Sequence, residues 1–140
     1  MDMYQSPFFI SECKKRMSSI SDWGFRLVQE DSREDWAILR WELEGIRVSI
    51  EYHPYAHSLN TYIDYRGYEV NLRKLYELAG INERPTYQFG STNLEKGIEA
   101  VTKRIMTFLD GYDLYDHSKL MSDISSNFVK QKSDETRFLN

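Results

Sequence analysis

From Trp36 to Tyr52, apolar and polar side chains alternate with a period of two. Ala37, Leu39, Trp41 and Leu43 are set against Trp36, Ile38, Arg40 and Glu42. After Glu44-Gly45 the pattern resumes, with Ile46, Val48, Ile50 and Tyr52 set against Arg47, Ser49, Glu51 and His53. Such alternation marks half-buried strands, and Glu44-Gly45 suits the two-residue loop of a hairpin. Facing residues then have numbers that sum to 89, so Leu43 faces Ile46, Trp41 faces Val48, Leu39 faces Ile50 and Ala37 faces Tyr52. A slip of one residue would mix the two sets, which fixes the register. On the polar face, Glu42 stands opposite Arg47.

The same reading extends along the chain. Ser6-Pro7 starts a helix, with Ser6 as cap, and Phe9, Cys13, Met17 and Ile20 mark its apolar face from Pro7 to about Ser19. Asp22, Trp23 and Gly24 break it. A first strand through Phe25 and Leu27 follows, ended by the charged run Glu30 to Asp35, read as a solvated turn. After the hairpin and the loop Pro54 to His57, Leu59, Thr61, Ile63 and Tyr65 alternate with Asn60, Tyr62, Asp64 and Arg66. Pairing this strand to its predecessor with numbers summing to 111 keeps both faces coherent and places Arg47 between Glu42 and Asp64. Arg66-Gly67 turns into a short strand through Tyr68 and Val70.

Asn71 caps a helix through Leu72, Leu75, Tyr76 and Ala79, stopped by Gly80. Ile81 to Gly90 is a loop containing Pro85, with a short extended piece around Tyr87 and Phe89. Thr92 and Glu95 form a capping box ahead of the strongest helix, through Leu94, Ile98, Val101, Ile105 and Phe108 to Gly111. Within it, Gly97 is expected to permit close packing against a strand or helix. A weaker last helix uses Leu120, Ile124 and Phe128. The expected fold is α+β: one helix, an antiparallel meander of four to five strands, and C-terminal helices covering the face of Leu39, Trp41, Val48, Ile50 and Ile63. Residues 1–130 form the domain, and 131–140 a frayed polar tail.

Composition adds little chemistry. The 140 residues carry 22 acids and 18 bases, a charge of -4 that argues against nucleic acid as a partner. Lys14-Lys15-Arg16, Arg73-Lys74 and Lys103-Arg104 read as solvated helix faces. The lone Cys13 shares the apolar helix face, which suits a buried thiol rather than a nucleophile. Neither a signal peptide nor a membrane-spanning run is visible, so the expectation is a cytoplasmic protein without a membrane partner.

Catalytic signatures are not found. Glu51, His53 and His57 lack the paired spacing of zinc ligands, so no metal and no cofactor is expected. Glu51 and Asp64 share a sheet face, as cross-strand acids commonly do. No nucleophile elbow and no glycine-rich phosphate cradle is present.

Two surfaces offer binding chemistry. The non-core sheet face carries Trp36, Arg40, His53 and Tyr62, with Ile38 and Glu51 among them. Either it anchors a partner, or the first helix or the C-terminal segment covers it. The second is the loop Asp110 to His117, where Tyr112, Asp113, Tyr115 and Asp116 combine acids with tyrosines. Asp113 or Asp116 can cap the next helix, and the same loop suits a basic protein surface.

In size, acidity, tyrosine-rich strands and helix-capped meander, the chain resembles the small α+β immunity proteins with which bacteria neutralise their own toxins. The resemblance implies a non-catalytic protein that covers the active site of a cognate toxin, often a basic nuclease domain. It carries over no functional residue. Two other classes remain open: a small enzyme or ligand-binding domain with a site between sheet and helices, and an adaptor subunit that dimerises through the sheet face.

Overall fold

The computed structural model describes residues 5–66, 68–70, 72–78, 80–82, 86–88, 93–112, 118–120 and 122–124. The expected roles of Gly67, Asn71, Ala79, Pro85, Phe89, Thr92 and Phe128, and of the tail 131–140, fall outside them, as do the loop residues Asp113, Tyr115 and Asp116.

Period-two alternation produces the sheet the chain promised. Strands β1 (Arg26–Ser32), β2 (Ala37–Leu43), β3 (Ile46–His53), β4 (Ser58–Tyr65) and β5 (Tyr68–Glu69) lie side by side in chain order, all antiparallel. Both registers are as the alternation requires. Trp41 pairs with Val48 and Leu39 with Ile50 across β2–β3, while Val48 pairs with Ile63 and Arg47 with Asp64 across β3–β4. The β2–β3 loop takes positive φ at both residues, 47° at Glu44 and 87° at Gly45, the twist a two-residue hairpin needs. A sixth strand, β6 (Thr86–Gln88), continues the outer edge of β4 at the end opposite β5.

Three helices, α1 (Ser6–Arg16), α2 (Leu72–Leu78) and α3 (Leu94–Asp110), bury their apolar stripes on one face of this sheet. Phe9 of α1 stacks on Tyr52 at 5.4 Å, and that side of β3 also carries Val48 and Ile50. Helix α3 approaches β4 and β6 through Gly97. A Cβ there would stand 2.9 Å from Leu59 Cδ1 and 3.2 Å from Tyr87 Cδ1, so glycine sets the helix–sheet distance. Arg104 of the same helix covers the Tyr87 ring at 5.5 Å. Residues 118–120 and 122–124 are helical, and Leu120 and Ile124 enter the same cluster with no exposure.

Three local expectations are corrected. Ser6 is not a cap: it lies inside α1, and its hydroxyl donates to the Arg33 carbonyl at 2.8 Å, tying the helix start to the β1–β2 turn. The first helix ends at Arg16 rather than near Ser19, and a 3-10 segment (Ser18–Trp23) carries Ile20 and Trp23 into the core before Gly24 stops it at φ 95°. Glu30 and Asp31 belong to β1, so the turn shrinks to residues 33–36, closed by the Arg33 amide donating to Trp36. The cap of α3 is Asn93, its side-chain oxygen accepting from the Lys96 amide at 3.1 Å.

Candidate functional site

Opposite the helices, the sheet presents a polar face whose side chains hold one another. Arg40, near its middle, donates through Nε to Ser49 Oγ at 2.9 Å and through Nη1 to Gln29 Oε1 at 2.7 Å. Gln29 in turn donates to Asp31 at 2.8 Å. The chain Asp31–Gln29–Arg40–Ser49 therefore crosses three strands and fixes the guanidinium plane. Among the described residues no carboxylate forms a salt bridge with Arg40. Ser49 is fully buried beneath it, and Tyr62 is its cross-strand neighbour on β4.

The other anchors lie around this chain. Trp36 stands one residue ahead of β2, half-buried, with the Arg33 guanidinium 5.6 Å from its ring. His53 Nε2 and Glu51 Oε1 are 3.0 Å apart. Tyr62 is half-buried, and its hydroxyl finds no hydrogen-bond partner among the described residues. Burial first, then the charges of Glu51 and Glu69, raises its pKa above the ordinary tyrosine value. Asp64 is raised too, mainly by burial. Arg40 and Arg47 pull against that shift, and Glu51 adds to it. Arg47, as expected, reaches Glu42 at 2.8 Å.

Ile38 sits in the same face, with 1% exposure, yet outside the apolar cluster that the helices fill. Of the two explanations for this surface, the first helix is eliminated as a cover, since α1 packs on the opposite side through Phe9 and Tyr52.

The structure thus gathers Trp36, Arg40, His53 and Tyr62 on one face of the sheet. It places Tyr112 elsewhere. That ring packs edge-on against Phe108 at 5.4 Å, and its hydroxyl donates to Asp123 at 2.7 Å, so its polar atom serves the fold. Burial, then that hydrogen bond, raises the Tyr112 pKa.

Gln29 and Asp31 are the residues that sequence reasoning missed. A bulge between Leu27 and Gln29 shifts β1 by one residue, which brings Gln29 opposite Arg40. Ser49 was legible, since it faces Arg40 in the hairpin register.

Reactive groups are sparse. Cys13 is fully buried, and desolvation pushes its thiol far above the ordinary range, leaving it inert. His57 lies in an exposed turn at φ 49°. No group of three metal-binding side chains occurs among the described residues, and no described helix is long and apolar enough to cross a membrane. The described buried residues of sheet and helices form one contiguous apolar cluster. Comparison with family models, curated proteins and solved structures finds no match to this chain.

Proposed function

We propose that this protein is a non-catalytic binder that acts by docking a protein partner on the polar face of its sheet. One observation carries the reading: Trp36, Arg40 and Tyr62 share a sheet face with hydrogen-bonding capacity left over. The Arg40 guanidinium is already oriented by Ser49 and Gln29, and the Tyr62 hydroxyl lacks a partner among the described residues. Tryptophan, tyrosine and arginine are the side chains that most often dominate interface energetics, and pre-oriented ones lose less entropy on binding.

Within that reading, the partner is a toxin domain and the protein a bacterial immunity protein held in the cytoplasm. The resemblance in size, acidity and helix-capped meander supports this, as does the charge of -4, which favours a basic partner such as a nuclease. The loop acids Asp113 and Asp116, with Tyr115, would add electrostatic steering rather than most of the affinity.

Co-expression with the product of the adjacent gene, followed by affinity purification and a growth-rescue assay, tests the proposal. A stable complex and relief of toxicity are expected, both weakened by Arg40→Glu or Tyr62→Ala. Failure to co-purify and to relieve toxicity, together with turnover of a small molecule, would overturn it in favour of an enzyme. Binding that survives both face variants but falls when Asp113 and Asp116 are reversed moves the surface to the loop.

A further inference from the structure

Strand β1 forms one border of the sheet, and among the described residues it pairs with β2 alone. A border of this kind presents backbone N–H and C=O groups that can accept another strand. Glu30 pairs with Lys14 at 2.9 Å and Gln29 with Arg40, while other side chains of the strand have room for a partner. Leu27 and Val28 are 39% and 48% exposed. Arg26 makes no salt bridge or hydrogen bond among the described residues, and Asp31 receives only the Gln29 amide. Beside this border, on the helix side, an open groove of about 540 Å³ runs between α1 and β1, lined by Pro7, Ile10, Lys14 and Glu30 among others.

The strand is complementary to itself. It is basic at its start and acidic at its end, so an antiparallel copy sets Arg26 opposite Asp31, Leu27 opposite Glu30 and Val28 opposite Gln29. Sheet faces agree in this register. The ladder to β2 puts Arg26, Gln29 and Asp31 on the polar face, with Glu42, Arg40 and Ile38. Leu27 and Glu30 lie on the helix side, with Trp41 and Leu39. A two-fold axis perpendicular to the sheet keeps each face with its like. It also brings Leu27 of the second copy beside Glu30, at the groove lined by Pro7 and Ile10. A slip of one residue would mix the faces, and a slip of two would lose both charge pairs.

We infer that two copies of this chain join through antiparallel β1–β1 pairing into one continuous sheet. The contact is isologous and uses one border of each copy, so it closes at two. The charged strand ends work against edge pairings that would set like charges opposite one another, and this register avoids that. The dimer leaves the polar face of each copy facing outward. The inference does not rest on the proposed partner binding, although Gln29 and Asp31 also belong to the chain that holds Arg40.

Sedimentation velocity of the full chain from micromolar to millimolar concentration tests it, with Arg26→Asp, Asp31→Arg and the double variant. The wild type should shift from monomer to dimer as concentration rises. Each single reversal creates two like-charge contacts across the axis and should weaken the dimer by roughly tenfold or more. The double variant should restore it to within about threefold of wild type, since both pairs are re-formed with exchanged signs. Val28→Lys, at the centre of the border, should weaken it without rescue by either reversal. A monomer at every concentration overturns the inference, as does a dimer unmoved by single reversals or not recovered in the double variant.

Discussion

Ser49 and Ile50 are chain neighbours in β3, and neither is exposed to solvent. Ile50 points into a cluster that the helices complete, while Ser49 lies beneath Arg40 on the other side of the same strand. Burial on the first side comes from non-directional apolar packing, so its energy scales with area and with the volume a substitution empties. On the second side it comes from directional hydrogen bonds among long polar side chains, each contributing about 1 kcal/mol net, more where a charge takes part. The helix-facing side therefore sets stability, and the polar side can specify a surface at little cost to the fold.

The contrast is broken most severely from the core side. Replacing Trp41 or Ile50 with alanine should destabilise by about 2 to 5 kcal/mol in urea unfolding, because each is buried and its neighbours cannot collapse into the space. A loss below 1 kcal/mol, by contrast, would mean that this face is not close-packed. Next comes Gly97→Ala. Alanine gains roughly 1 kcal/mol of helix propensity. Its methyl meets Leu59, which has no exposure, and overpacking at about 1 to 3 kcal/mol should win, leaving the variant less stable.

On the polar side the expected effects are smaller. Ser49→Ala removes the acceptor for Arg40 Nε in a buried position and should cost about 1 to 2 kcal/mol. Arg47→Ala breaks an exposed pair with Glu42 and should cost at most about 1 kcal/mol, most of it lost in high salt. An equal loss from Ser49→Ala and Trp41→Ala would erase the distinction between the faces.

The gentlest probe is pH. Because the folded pKa of Asp64 is raised, the folded state binds more protons than the unfolded chain between the ordinary aspartate value of 3.8 and the folded value. Stability from this group should therefore be highest below that window and decline as pH rises through it. A carboxyl titration followed by NMR should show the raised midpoint, and Asp64→Asn should flatten that part of the stability profile. A midpoint at or below the free-aspartate value would contradict the arrangement.

Strand registers and helix faces followed from the sequence alone because side chains alternate every residue in a strand. Moving β3 by one position would have turned Val48 and Ile50 toward the polar side and Arg47 and Glu51 inward. The hairpin, the β3–β4 pairing, the Arg47 bridge to Glu42 and the close approach at Gly97 were all readable for that kind of reason. So was the shared face of Trp36, Arg40, His53 and Tyr62, which follows from parity of position. What the sequence could not decide were choices between partners of similar local worth. The Ser6 hydroxyl could cap its own helix or bond the Arg33 carbonyl, and only the docking of α1 against the β1–β2 turn selects the second. The bulge after Leu27 depends on how the border strand meets β2, and it alone brings Gln29 to Arg40. Periodicity acts over a whole strand and outweighs single residues, whereas a cap, a bulge or one hydrogen bond differs from its rival by about 1 kcal/mol, and distant contacts settle it.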